Sequence, residues 1–182
     1  LLMAAENVPL WNTPLLPVLF SVSAFDTGVA LVELVAVLAS KKDPLAPKAR
    51  TLMERIVVVL VLLEGVVMAA FLASMLGGDA QTAIGATAAS SASLLVSGGL
   101  AVCFWGMVVA CGLALPLVMA VAGLVLHGRA KKKPGAGQHG SGVLMAIGAA
   151  GALVGGCELR FLILAAGVHA DVVAETVRGL IG

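Results

Sequence analysis

Five charged side chains fall inside apolar stretches that are long enough to cross a lipid bilayer: Asp26, Glu33, Glu64, Glu158 and Arg160. A charged group at the centre of a membrane costs about 3 kcal/mol or more unless it is paired, protonated or hydrated. A carboxylic acid escapes part of this cost by binding a proton. These residues therefore favour two kinds of chemistry, a proton relay or a polar ligand pocket.

The spacing of the acids limits which of them act together. Asp26 and Glu33 are seven residues apart, so they share one face of a helix and lie about 10 Å apart along its axis. Glu158 and Arg160 are two residues apart and cannot pair directly. In one interpretation Arg160 pairs with one or two acids and only orders the helices. In the other, a relay runs in the order Glu33, Glu64, Asp26, Glu158 from the cytoplasmic to the outer half. One arginine cannot neutralise four acids, which favours the relay for the set.

The histidines and cysteines suggest no metal site. His169 lies eleven residues after Glu158, so the two share a helix face. It is either a hydrogen-bonded residue at a helix end or a proton acceptor at the outer surface. A haem held within a membrane needs two facing histidines, and here at most one lies near the bilayer. We expect three cysteines in apolar stretches to be packing residues: Cys103, Cys111 and Cys157.

Composition indicates a membrane protein that is entirely helical. Of the 182 residues, 60% are hydrophobic and only 12% are charged, about half the charged fraction of a soluble domain. Four stretches reach the length of about 20 apolar residues that a transmembrane helix needs. They predict one four-helix bundle over residues 1–182, with spans at about 14–39, 56–76, 100–126 and 143–168.

The distribution of basic residues predicts the topology. The loops at 40–55 and 127–142 hold nine of the eleven lysines and arginines, whereas the loop at 77–99 holds none. Short basic loops stay in the cytoplasm, so both ends of the chain are expected on the outer side. The 77–99 connection is either a short helix at the outer surface, where it would lie flat or dock a partner, or a loop of small residues.

Three stretches, taken together, resemble the NrfD/PsrC family, the membrane subunits of polysulfide-reductase-like respiratory complexes. In chain order they are "LWNTPLLPVLFSVSAFDTGVA", "GGLAVCFWGMVVACGLALPL" and "GGCELRFLILAAG". The resemblance covers nearly the whole chain, which would correspond to the C-terminal half of a family member. The first residue, Leu1, also fits the expectation that the chain is part of a longer polypeptide.

The resemblance implies an eight-helix protein of two four-helix bundles in a bacterial or archaeal cytoplasmic membrane. Members bind no cofactor of their own and exchange electrons between a quinone, such as menaquinone, and a ferredoxin-like iron–sulfur subunit on the outer face. Cytochrome or molybdopterin subunits are further partners of this kind, and proton movement is implied for some members. The quinone pocket is associated chiefly with the first bundle, so no quinone-binding residue can be assigned here. Asp26 stands where many members have a small polar residue, which either marks a proton-translocating branch or is neutral.

Three functions remain open from the sequence. The leading hypothesis is a quinone-reactive membrane subunit whose buried acids conduct protons. The second is a non-redox membrane anchor for electron-transfer subunits, in which the polar residues only fix helix packing. The third is half of a small transporter. The net charge of +1 gives no reason to expect a nucleic-acid partner, and membrane lipid surrounds the protein in all three cases.

Overall fold

The computed structural model describes residues 8–39, 47–77, 82–130 and 138–167, and every regular element within these ranges is helical. The elements follow one another in chain order: α1 (Leu15–Ala39), α2 (Pro47–Leu76), α3 (Ala83–Val96), α4 (Ala101–Cys103), a π-helical segment (Phe104–Ala114), α5 (Leu115–Ala130) and α6 (Gln138–Ala165). Four continuous stretches of helix are long and apolar enough to cross a membrane. The predicted all-α membrane bundle with four transmembrane helices is confirmed.

The four long helices form a ring in which each helix packs against two others. Helix α1 contacts α2 and α6, and α5 also contacts α2 and α6, so α1 lies diagonally opposite α5. Large apolar side chains cover much of the outer surface, such as Phe25, Val66 and Phe161. An apolar exterior around a packed interior is what a helical bundle in lipid requires.

Helix α2 begins nine residues before the predicted span. The loop prediction for 40–55 is therefore wrong from Pro47 onward, since Lys48, Arg50 and Arg55 all lie on α2. Proline fits the first position of a helix, where its missing N–H group has no intrahelical partner to lose. The charges lowered the local hydropathy and concealed this first part of the helix. Residues 40–46 and 131–137 lie outside the described part of the protein.

The connection between the second and third spans contains the short helix α3. The Thr82 hydroxyl caps its first turn by accepting a hydrogen bond from the Gly85 backbone N–H at 3.1 Å. The helix packs mainly against α2. The sequence allowed either a short helix or a loop here, and the structure has the helix. Three of its residues, Ala88, Ala92 and Leu95, lie in the core.

The third span is distorted where it meets α6. Its π-helical segment has five-residue spacing between donor and acceptor, which widens the helix and shifts the faces of the residues after it. Within it Gly112 meets Gly155 of α6 so closely that a Cβ atom on Gly112 would lie 2.8 Å from the Gly155 Cα. Small residues allow helix backbones to approach in this way.

The buried positions of α1 and α2 follow a regular alternation of three and four residues. In α1 they are Leu16, Leu19, Ser23, Asp26, Ala30 and Glu33. In α2 they are Glu54, Val57, Val61, Glu64, Met68, Phe71 and Met75. This 3.5-residue average is that of helices packed at a small left-handed angle. Because of this alternation, four acids lie in the bundle interior: Asp26, Glu33, Glu54 and Glu64.

The half of the bundle that contains the start of α1 and the end of α2 has a large apolar core. Phe71, Leu95, Phe104 and Leu162 belong to it, together with Val8 and Leu10 of the segment before α1. That segment is fastened to α6 by Trp11, whose indole N–H donates a 3.1 Å hydrogen bond to the Ile163 carbonyl oxygen. The buried acids consequently lie from the middle of the bundle toward the end of α1 and the start of α2, where smaller side chains such as Ala30, Ala149 and Ala152 pack.

Candidate functional site

Three of the predicted site residues lie side by side in the bundle interior. Asp26 and Glu33 of α1 are 3% and 4% exposed, and Glu64 of α2 is 4% exposed. They are buried because they occupy the positions of α1 and α2 that face the bundle interior. Neither Asp26 nor Glu33 forms a hydrogen bond or an ion pair with another described residue; the groups that interact with them are other carboxyls.

A fourth buried acid, Glu54, was not predicted from the sequence. It is 1% exposed and lies on α2, within the stretch that we predicted to be a loop. Gly123 of α5 makes room for it, because a Cβ atom at that position would collide with the Glu54 Oε1 atom and lie 2.8 Å from its Cδ. Extending the alternation of three and four residues back from Glu64 and Val57 would have found Glu54.

The acids follow one another along the bundle axis. Glu33 interacts electrostatically with both Glu54 and Asp26, and Asp26 interacts with Glu64. By helix rise, Glu33 lies about 10 Å and Asp26 about 20 Å from the end of α1, and Glu54 lies about 10 Å and Glu64 about 26 Å from the start of α2. The structural order is therefore Glu54 and Glu33, then Asp26, then Glu64. The predicted order placed Glu64 before Asp26, because it took no account of the additional turns at the start of α2.

A small void lies between Asp26 and the pair of acids Glu33 and Glu54. Asp26, Glu33 and Glu54 line it, and the described lining residues of α5 and α6 are uncharged: Pro116, Met119, Ala120, Leu144, Met145, Gly148, Ala149 and Ala152. The space suits about one water molecule, since it is near the smallest volume that holds one and has several polar groups around it. The arrangement allows a bound water to contact carboxyl groups on both sides.

Glu64 lies at the end of this series that is farthest from Glu33 and Glu54. The side chain of Ser23 lies beside it and Arg160 of α6 interacts with it electrostatically. The Ser23 hydroxyl is fully buried but has no hydrogen bond of ordinary geometry within the described part of the protein. Ser23 and Glu64 are therefore adjacent but not hydrogen-bonded. Beyond Glu64 the large apolar core fills the interior of the bundle.

Of two other predicted site residues, Glu158 lies apart from this series and Arg160 interacts with it at Glu64. Glu158 is only partly buried and makes no hydrogen bond or ion pair with a described residue. Arg160 is also partly buried, but it reaches the series through Glu64. Cys157 and Phe161 occupy an exposed face of α6, and around the helix axis Glu158 and Arg160 lie on opposite sides of that face. Their two-residue spacing turns them about 200° apart. His169 lies outside the described residues.

The thiol groups have no shared role within the described ranges. All three cysteines are free, and Cys103 and Cys157 are exposed while Cys111 is half-buried. Two of the three thus lie on the bundle surface, and only Cys111 is partly enclosed by the bundle, as a packing residue would be. No group of three histidine, cysteine or acidic side chains in the described ranges is placed to hold a metal ion.

Comparison with known proteins places this bundle in a family. The model of the family described as polysulphide reductase, NrfD, matches residues 1–171. This chain belongs to the NrfD family. The family membership agrees with the four transmembrane helices, and the two findings together identify a multi-pass membrane protein.

One curated relative shows how much of a family member the chain represents. The chain is similar to the C subunit of polysulfide reductase from Wolinella succinogenes, with 35% identity over 167 residues. The aligned region covers 92% of this chain and 47% of that protein, so the chain spans about half the length of the curated relative it matches. No solved structure matches the chain.

Proposed function

We propose that this chain is part of a quinone-reactive membrane subunit of a respiratory electron-transfer complex in a bacterial or archaeal cytoplasmic membrane. Membership of the NrfD family and the similarity to the C subunit of polysulfide reductase support this function. In this proposal the complete subunit exchanges electrons between a membrane quinone and an iron–sulfur subunit at the outer face. The bundle itself binds no redox cofactor.

We further propose that the bundle conducts protons through its buried carboxyl groups. The observation that carries this proposal is the series of acids from Glu33 through Asp26 to Glu64 in the interior of the bundle. An acid that only orders a bundle is normally satisfied by a cation or by hydrogen bonds. Asp26 and Glu33 have instead other acids as neighbours, and such groups can bind and release protons as their neighbours change charge.

The experiment is the number of protons translocated per electron by the full complex in sealed vesicles. Asp26→Asn keeps the shape of the side chain but removes its ability to take up and release a proton. We expect this variant to lower the proton-to-electron ratio several-fold while quinone-linked electron transfer, measured with a protonophore present, continues. Ser21→Ala, at an exposed position on the same helix, is the matched control. A parent-like ratio in Asp26→Asn would leave only a packing role for this acid.

The same preparation tests the two other functions. A non-redox anchor would assemble with electron-transfer subunits but show no proton movement linked to electrons. Half of a transporter would function without iron–sulfur partners. Copurification of iron–sulfur subunits, followed by reduction or oxidation of a quinone analogue, distinguishes both of these functions from the proposed one.

A further inference from the structure

The cytoplasmic end of the acid series has two carboxyl groups at one level, Glu33 on α1 and Glu54 on α2. They interact electrostatically with each other, and both line the void that leads to Asp26. Glu54 is almost completely buried, although it lies near the start of α2. Other charged residues of this part of α2, such as Lys48 and Arg55, are exposed. Such burial distinguishes it from an ordinary acidic residue at a membrane surface.

The lining of the void determines what such a pair can bind. Among the described residues that line it, the charged groups are the three acids, and those of α5 and α6 are uncharged. On the same face of α2, Arg50 lies one helical turn before Glu54, and its Nε atom is buried without a hydrogen bond among the described residues. Two carboxylates that both stay charged at low dielectric repel strongly, so a pair of this kind is stable when it shares a proton.

We propose that Glu33 and Glu54 form a two-carboxyl proton-binding site at the cytoplasmic end of the path, and that one water molecule in the void connects it to Asp26. This inference rests on the proposed proton conduction and adds to it the residue that receives the proton. The transfer needs no redox change. A carboxyl of the pair gives a proton to the water, and the water gives one of its protons to the Asp26 carboxylate. The pair then regains a proton from the cytoplasmic side.

A proton is a better ligand for this site than a metal ion. Monovalent and divalent metal ions need several oxygen ligands converging on one point. No group of three acidic, histidine or cysteine side chains in the described ranges converges in this way. By helix rise, the backbone positions of Asp26 and Glu33 are about 10 Å apart along the axis, so their carboxyl groups approach each other only where both side chains line the void.

The close contact of Gly123 with Glu54 gives the site a fixed position. Because a Cβ atom at residue 123 would occupy the place of the Glu54 carboxyl, any larger residue must push that carboxyl away. Gly123 is thus a positioning residue for Glu54. Gly123→Ala is expected to disturb the pair although both acids remain.

The test uses the full complex in vesicles with an entrapped pH dye and two variants that act differently. Glu54→Gln removes one member of the pair, and Ala149→Val fills the void without changing any acid. Their matched controls are the exposed neighbours Arg55→Gln and Ala150→Val. We expect both test variants to lower the proton-to-electron ratio several-fold and both controls to keep the parent ratio. Uncoupled electron transfer should remain in all four variants.

Infrared difference spectroscopy detects the protonation of a carboxyl group directly, and a residue with only a packing role would not change this signal. The parent protein should show a protonated-carboxyl band that is lost or shifted in Glu54→Gln and retained in Arg55→Gln. If Asp26→Asn lowers the ratio but Glu54→Gln and Ala149→Val do not, the pair and the water step are wrong while proton conduction stands. If none of the acid variants changes the ratio, proton conduction itself is wrong. A proton-to-electron ratio that depends on sodium would instead make the pair a cation site and overturn the inference.

Discussion

Gly155 of α6 lies directly against Gly112 of the π-helical segment, backbone to backbone. A Cβ atom on Gly155 would collide with the Gly112 Cα and would lie 3.2 Å from the Met107 carbonyl oxygen. The contact fixes the distance between the third and fourth spans. It also lies just above Ala152, one of the residues that line the void below Asp26.

Gly155→Ala is therefore expected to destabilise the bundle. The added methyl group meets backbone, which cannot rotate away as a flexible side chain would, and overpacking of this kind costs about 1–3 kcal/mol. The measurement is thermal unfolding of the purified protein in detergent. Gly106→Ala on the third span is the control, because nothing lies within 4 Å of its Cβ position. Equal melting temperatures for the two variants would contradict the close contact.

Removal of the charge at Arg160 should harm assembly more than its replacement by lysine. Arg160 interacts electrostatically with the buried Glu64, and removal of a positive charge near a buried carboxyl makes the charged form of that carboxyl more costly. We expect Arg160→Leu to yield less folded protein in size-exclusion chromatography than Arg160→Lys. Phe161→Leu, at an exposed neighbouring position, should behave like the parent. Normal assembly of both Arg160 variants would show that Glu64 does not depend on this cation.

The predicted orientation is testable at two exposed positions, Ser90 on α3 and Lys48 on α2. In a background without native cysteines, Ser90→Cys should react with an impermeant maleimide added outside, and Lys48→Cys should react only after the membrane is opened. The physical reason is the retention of basic loops in the cytoplasm. The reverse labelling pattern would invert the topology.

The bundle is expected to bind no haem of its own. Haem within a membrane needs two histidines that face each other, and the sequence has three histidines, of which at most one lies near the bilayer. The purified protein should show neither the visible absorbance of haem nor stoichiometric iron. Bound haem in the protein without its partners would refute this prediction, whereas haem present only in the assembled complex points to a histidine of another subunit.

The sequence alone determined the class of fold and most of the buried acids. Four long apolar stretches can satisfy their backbone hydrogen bonds in lipid only as helices, so composition and length suffice for that conclusion. Asp26 and Glu33 were predicted to share a helix face, because a seven-residue spacing is almost two full turns. The structure has both of them in the bundle interior.

The tertiary structure decided how the acids are ordered and which of them meet. Helical spacing gives the angle of a residue on its own helix but not the level at which two helices lie beside each other. Since α2 begins at Pro47, Glu54 reaches the level of Glu33, and Glu64 lies beyond Asp26. The partial burial of Glu158, the place that Gly123 leaves for Glu54 and the void below Asp26 depend on which faces of different helices pack together. Such contacts join residues far apart in the sequence, and no local pattern of residues specifies them.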